Sequence, residues 1–115
     1  MQVLDTETRI RKQIADNPVI LYMKGTPEAP ECGFSRAAVG ALHKIGTPFA
    51  FVNVLTAPHI REKLPKISQW PTYPQLFVSG ELVGGCDIIR EMHQTGELAQ
   101  MLGDKGIALK PVAAA

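Results

Sequence analysis

Residues 19–45 have the sequence VILYMKGTPEAPECGFSRAAVGALHKI, and this stretch decides the fold. It begins with an apolar run at residues 19–24, of the length and composition of a strand that is covered on both faces. A loop at residues 25–30 follows, with two prolines and one glycine, and we expect it to be irregular. The stretch ends with apolar residues at helical spacing, which predict a helix with one buried face. These residues are Phe34, Ala38, Ala41, Leu42 and Ile45.

One cysteine, Cys32, lies where this loop meets this helix. At or just before a helix N-terminus, unpaired backbone N–H groups and the helix dipole stabilise negative charge, and a thiolate carries such a charge. Lys24 would add to the effect if the loop brings it close to the sulfur. An isolated cysteine is more commonly a small buried apolar residue. The neighbours Pro30, Glu31 and Gly33 are not typical of a core, however, and we therefore expect Cys32 to be reactive.

Length, composition and charge restrict the class of protein. The 115 residues are 45% hydrophobic and carry a formal net charge of +1, so we expect neither nucleic acid nor an anionic membrane as a partner. The longest apolar runs have the length of a strand, which argues against a membrane span. The N-terminal residues lack the pattern of a secretory signal, and two cysteines are too few for a secreted disulfide scaffold. We therefore expect a protein of the reducing cytoplasm.

The segments around residues 19–45 complete an alternating pattern. The sequence first predicts a helix that is capped by Asp5 or Thr6 and ended by Asn17-Pro18, then the strand at 19–24 and the helix ended by Gly46. A strand at 49–54 and a helix opened by Pro58 follow, and then strands at 75–78 and 81–84 that are joined at Ser79-Gly80. The last elements are a helix after Gly84-Gly85 and a short helix with Leu98, Met101 and Leu102. A strand, helix and strand of this length imply a parallel crossover, and the tight turn implies an antiparallel pair.

The predicted fold class is therefore α/β, with one mixed sheet of four strands and helices on both faces. Residues 1–115 have the length of a single domain. We expect its core to span about residues 6–103. Residues 104–115 are expected to form a frayed tail, because the last of them offer nothing to bury.

Four motifs occur in a fixed order along the chain. They are Lys24, Cys32-Gly33-Phe34-Ser35, Trp70-Pro71-Thr72-Tyr73-Pro74 and Gly84-Gly85-Cys86-Asp87. With these motifs the sequence resembles the monothiol, CGFS-type glutaredoxins of the thioredoxin fold, over about residues 10–102. The tetrapeptide alone would be an unspecific match, but four motifs at these separations are specific.

The resemblance implies a glutathione site. In the family, the peptide bond before the second proline of the third motif is cis, and the backbone of the residue matching Tyr73 pairs with the cysteine of glutathione. Positions matching Lys24 and Arg61 hold the glycine carboxylate, and positions matching Cys86 and Asp87 hold the γ-glutamyl end. The residue types suit these roles, because Lys and Arg bind carboxylates and N–H groups at a helix start bind anions.

Ser35 occupies the place of the second cysteine in a Cys-x-x-Cys motif, which would resolve a mixed disulfide. Cys32 therefore has no intramolecular partner at the motif. A [2Fe–2S] cluster usually has four thiolate ligands, and two chains that each supply Cys32 and one glutathione reach four. The family resemblance agrees, since its members bind such a cluster between two subunits. The sequence therefore predicts a homodimer that stores or delivers a [2Fe–2S] cluster, with glutathione as a second cofactor.

Several alternatives remain open from the residues alone. One alternative is a glutathione-dependent thiol–disulfide oxidoreductase, which would act through a Cys32–glutathione mixed disulfide. Cys86 would replace glutathione if each chain gave two cysteine ligands, and it would form a disulfide with Cys32 under oxidation if the two are close. A thioredoxin-like interaction module is a third alternative; the family's partners include BolA-like proteins, and apo iron–sulfur proteins are the expected recipients.

Trp70 is expected to pack in the core or a loop, or else at a subunit contact.

Overall fold

The computed structural model of the chain describes residues 5–109. Its elements in order are α1 (Thr6–Asp16), β1 (Val19–Met23), β2 (Gly25–Thr26), β3 (Ala29–Pro30), α2 (Gly33–Ile45), β4 (Ala50–Asn53), α3 (Pro58–Ser68), β5 (Gln75–Val78), β6 (Glu81–Gly84), α4 (Cys86–Thr95) and α5 (Glu97–Asp104). The predicted α/β class is confirmed. None of the helices within residues 5–109 has the length and apolar character needed to cross a bilayer.

The four long strands form one mixed sheet with the order β4-β1-β5-β6. β4 runs parallel to β1, β5 runs antiparallel to β1, and β6 runs antiparallel to β5. All five residues of β1 are buried, as expected for a central strand covered on both faces. The predicted sheet, with two parallel strands followed by an antiparallel pair, is therefore confirmed.

Alternate residues of β1 belong to two different cores. Leu21 and Met23 pack with α2, α4 and α5 on one face of the sheet, and Ile20 and Tyr22 pack with α1 and α3 on the other. A fully buried apolar side chain contributes about 1.5–3 kcal/mol relative to an exposed one. Helices on both faces, as predicted, therefore hold β1 firmly and fix the position of Lys24, which follows its last residue.

The two helix ends that the sequence specified most clearly are present. Asp5 precedes α1 and accepts a hydrogen bond from the backbone N–H of Thr8 at 2.7 Å, which lowers the pKa of its carboxyl. Gly46 ends α2 with a φ of 75°, the left-handed conformation that glycine adopts at low cost. Both ends lie where capping chemistry predicts them.

The loop at residues 25–30 is more regular than we expected. β2 and β3 form a small antiparallel ladder, in which Gly25 pairs with Pro30 and Thr26 with Ala29. The prolines suggested irregular structure, but Pro27 lies in the turn between the two strands, where proline is favourable. This hairpin returns the chain from the end of β1 to the start of α2.

Two further expectations were wrong. Phe34 belongs to the apolar stripe of α2 but is 63% exposed, because the first turn of the helix lies beside an open cleft. The frayed tail predicted for 104–115 is contradicted in its described part. Asp104 is the last residue of α5, and Ile107 and Leu109 pack against the core because the chain turns back after the helix. The rest of that tail, residues 110–115, lies outside the described residues.

Replacing Gly25 by Ala should destabilise the fold. Gly25 has a φ of +91°, and a Cβ there would lie 2.6 Å from both the carbonyl oxygen of Ala29 and the nitrogen of Glu31. We expect Gly25→Ala to lower the free energy of unfolding by about 1–3 kcal/mol, measured by urea denaturation. Gly40→Ala is the matched control, since a Cβ in this helical position meets nothing within 4 Å and should stabilise α2 by about 0.5–1 kcal/mol. Equal stability of Gly25→Ala and the wild type would contradict this account.

Candidate functional site

A cleft of about 780 Å³ lies beside the start of α2. Its lining residues come from the end of β1, the starts of α2 and α4, the middle of α3 and the loop before β5. They include Lys24, Cys32, Phe34, Arg61, Pro65, Trp70, Pro71, Thr72, Tyr73, Gly85, Cys86, Asp87 and Ile88. All six site residues predicted from the sequence, Lys24, Cys32, Arg61, Tyr73, Cys86 and Asp87, therefore meet in one cleft.

Cys32 is the N-cap residue of α2 and is partly exposed. The pKa of its thiol lies below the ordinary value, chiefly because the backbone N–H of Ser35 hydrogen-bonds to the sulfur. Partial burial opposes this shift, while the backbone N–H of Phe34, the charge of Lys24 and the hydroxyl of Ser35 add to it. The free N–H groups of the helix thus stabilise a thiolate, as the position of Cys32 predicted.

Ser35 has a structural part in the site that the sequence reasoning missed. It is fully buried, and its Oγ accepts a hydrogen bond from the backbone N–H of Lys24 at 3.1 Å. Since that bond occupies an acceptor position of Oγ, the hydroxyl proton remains available for the sulfur of Cys32. The spacing between Cys32 and Ser35 could have indicated this role, because in a capping box the side chain three positions after the N-cap residue reaches back to that residue.

Cys86 differs from Cys32 in both exposure and protonation. It is the first residue of α4 and only 7% exposed. Burial raises the pKa of its thiol, although the positive charge of Arg90 opposes the shift. Cys86 therefore favours the protonated thiol, whereas the pKa of Cys32 is shifted in the opposite direction, toward the thiolate.

The charged groups of the cleft come from different elements. Arg61 and Asp87 are exposed, and Lys24 is half-buried. Gly85 is the N-cap of α4, and no side chain accepts a hydrogen bond at that helix start. The cleft therefore offers two cations, one carboxylate and free N–H groups of a helix N-terminus, a set suited to a ligand with separate carboxylate and amino groups.

The loop before β5 forms another wall of the cleft. The Tyr73–Pro74 peptide bond is cis, as the family resemblance implied. The Tyr73 hydroxyl donates a hydrogen bond to the backbone carbonyl of Arg61 at 2.9 Å, and burial raises the pKa of Tyr73 to about 12. The phenol therefore connects the loop to α3. Trp70 lies in this wall, where it packs as a loop residue.

The chain is similar in sequence and in structure to known proteins. Residues 19–83 match the glutaredoxin family, and the chain is 54% identical over 105 residues to Glutaredoxin 4 of Escherichia coli strain K12, which covers 91% of each chain. This chain belongs to the glutaredoxin family. A truncated monomeric mutant of Trypanosoma brucei 1-C-Grx1 is similar with a TM-score of 0.84 and 36% identity, over 96% of this chain and 100% of the other.

A buckwheat glutaredoxin in complex with glutathione shares the fold, with a TM-score of 0.77 over 88% of this chain and 90% of that one, at 22% identity. The glutaredoxin described here has the thioredoxin fold predicted from its motifs. Within residues 5–109 it has no group of three or more His, Cys, Asp or Glu side chains that could hold a metal ion.

The pH dependence of Cys32 alkylation tests the origin of its thiolate. In a Cys86→Ser background, the rate with iodoacetamide should rise with pH through the pKa of Cys32, because only the thiolate reacts. Ser35→Ala and Lys24→Met each remove one group that lowers this pKa, so both should shift the midpoint to higher pH and slow the reaction at pH 7. The backbone N–H of Ser35 remains in both variants, so the shift should be partial.

Lys44→Met is the matched control for charge. Lys44 lies in the last turn of α2, far along the helix from the sulfur, so its loss should leave the midpoint unchanged. A Ser35→Ala protein with the wild-type midpoint would contradict a role for the Ser35 hydroxyl.

Proposed function

We propose that this protein is a monothiol glutaredoxin that holds a glutathione-ligated [2Fe–2S] cluster between two copies of the chain and stores or delivers it in the cytoplasm. The observation that carries the proposal is the single stabilised thiolate, Cys32, partly exposed in a cleft, with Ser35 in place of a second thiol. Cluster binding would require two events: a tripeptide binds in the cleft, and its sulfur joins that of Cys32 as a ligand.

The cleft suits glutathione by size and by charge. Its volume of about 780 Å³ lies within the usual range of small-molecule sites, about 300–1,000 Å³. Lys24 and Arg61 would bind the glycine carboxylate, and the N–H groups at the start of α4 would bind the γ-glutamyl carboxylate. Asp87 would accept a hydrogen bond from the α-amino group, and the backbone of Tyr73 would pair with the cysteine of the tripeptide. The buckwheat glutaredoxin, which shares the fold, was solved with this ligand.

The donor set explains why glutathione and the cluster belong together. A cysteine binds a metal as its thiolate, and of the two cysteines only Cys32 has a lowered pKa. Cys86 is buried and its pKa is raised, which makes it a poor ligand. Two chains thus supply two thiolates, and two bound glutathiones complete the four that such a cluster usually has.

A cluster with exchangeable ligands would suit a protein that carries the cluster to others. Two of the four sulfurs would belong to small molecules, so the cluster would be transferred as cargo to apo iron–sulfur proteins, with BolA-like proteins as further candidate partners. Phe34 supports the contact between two copies, because it is 63% exposed next to Cys32 and would be covered by a second chain.

Anaerobic reconstitution with iron and sulfide tests the proposal. The wild type should develop the visible absorption of a [2Fe–2S] cluster only when glutathione is present, and should then elute as a dimer. Cys32→Ser should form no cluster, and Cys86→Ser should form one like the wild type. A cluster that forms without glutathione or survives in Cys32→Ser contradicts the proposal. Loss of the cluster in Cys86→Ser would instead identify Cys86 as the ligand.

Thiol transfer is the second candidate, and the accessible thiolate of Cys32 favours it. The thiolate would attack the glutathione sulfur of a mixed disulfide and release the other thiol as a thiolate. A free glutathione thiolate would then attack the Cys32–glutathione disulfide, which releases glutathione disulfide and restores Cys32. Turnover of a small mixed disulfide at saturating glutathione distinguishes the two candidates, because a rate comparable with a dithiol glutaredoxin would favour the enzyme.

A further inference from the structure

Gln75 is a buried polar residue that does not line the cleft yet holds one of its walls. It is the first residue of β5 and is fully buried. Its side-chain amide donates hydrogen bonds to the backbone carbonyl of Trp70 at 2.9 Å and to that of Thr72 at 3.2 Å. Its Oε1 has no hydrogen-bond partner among residues 5–109. Burying an amide with an unpaired oxygen is unfavourable, so any structural benefit of this side chain comes from its two hydrogen bonds to the loop.

Trp70 connects this loop to the start of α4. A Cβ on Gly85, the N-cap of α4, would lie 3.0 Å from the Nε1 of Trp70 and 3.2 Å from the carbonyl oxygen of Pro74. The indole N–H is itself buried and without a partner among the described residues. The indole thus packs directly against the backbone of Gly85, which has no side chain, and this contact joins the loop to the start of α4.

We propose that Gln75 is a positioning residue, which acts through Trp70 to fix the spacing between the loop at residues 70–73 and the start of α4. This spacing makes the cleft selective for glutathione over shorter thiols. The inference rests on the proposed glutathione site. A tripeptide that contacts both Tyr73 and Asp87 depends on their spacing. A single amino acid such as cysteine can contact only one of the two walls, so its binding does not depend on that spacing.

Calorimetric titration with S-methylglutathione and S-methylcysteine tests this, since neither ligand can form a disulfide. Gln75→Met keeps the length of the side chain and removes both hydrogen bonds, and should weaken S-methylglutathione binding about tenfold, with much less effect on S-methylcysteine. Gly85→Ala should also weaken tripeptide binding, because its methyl group pushes against the indole. Adding Trp70→Phe to Gly85→Ala should restore part of the affinity, because the smaller ring leaves room.

Gln13→Met is the matched control for stability. The Oε1 of Gln13 accepts a hydrogen bond from the Tyr22 hydroxyl at 2.8 Å, on the other face of the sheet from α4, so this variant loses a comparable bond outside the cleft. It should bind both ligands like the wild type. In every variant the alkylation midpoint of Cys32 should stay unchanged, because the donors to its sulfur are intact.

The outcomes separate this inference from the proposed function. If the wild type binds S-methylglutathione and Gln75→Met binds it equally well, the positioning role is wrong and the glutathione site stands. Affinity that falls in Gln13→Met as in Gln75→Met, in step with stability in urea, would make the role of Gln75 merely structural and overturn the inference. A wild type that does not bind S-methylglutathione would overturn both.

Discussion

An α-helix leaves its first backbone N–H groups without partners, and in this glutaredoxin the sulfur of Cys32 accepts hydrogen bonds from those of α2. The rest of the structure holds that arrangement in place. β1 is buried on both faces and ends at a fixed point. The Ser35 hydroxyl connects that point to the first turn of α2. Because these contacts fix the strand and the helix relative to one another, the charge of Lys24 also reaches the sulfur.

A small number of contacts with the backbone also form the remaining walls of the cleft. The small hairpin at β2 and β3 depends on Gly25, where no other residue fits without a clash. Tyr73 connects the loop before β5 to α3 through its hydroxyl. Contacts with the backbone thus determine where main-chain groups face the cleft. A ligand with carboxylate, amino and peptide groups can be bound by such a surface with few charged residues.

Much of this was predictable from the sequence. The apolar run at residues 19–24 and the glycine and proline signals predicted the elements and the mixed sheet. The motifs, together with the family resemblance, predicted six residues that line the cleft. Phe34 could not be placed correctly, because periodicity gives the face of a helix but not where its covering sheet ends. Ser35 and Gln75 were missed as structural residues, because a buried polar side chain is explained only by its partners, which lie far away in sequence. The apolar Ile107 and Leu109 showed no periodic pattern that would predict their packing.

The central claim is that one stabilised thiolate lies next to a site for a tripeptide. Amide chemical-shift mapping of the reduced apoprotein, titrated anaerobically with reduced glutathione, tests it most directly. The account predicts saturable shifts concentrated at Lys24, at the first turn of α2, at residues 72–73 and at the start of α4. Shifts that cluster elsewhere, such as between α1 and α3, or no saturable shifts at all, would contradict it.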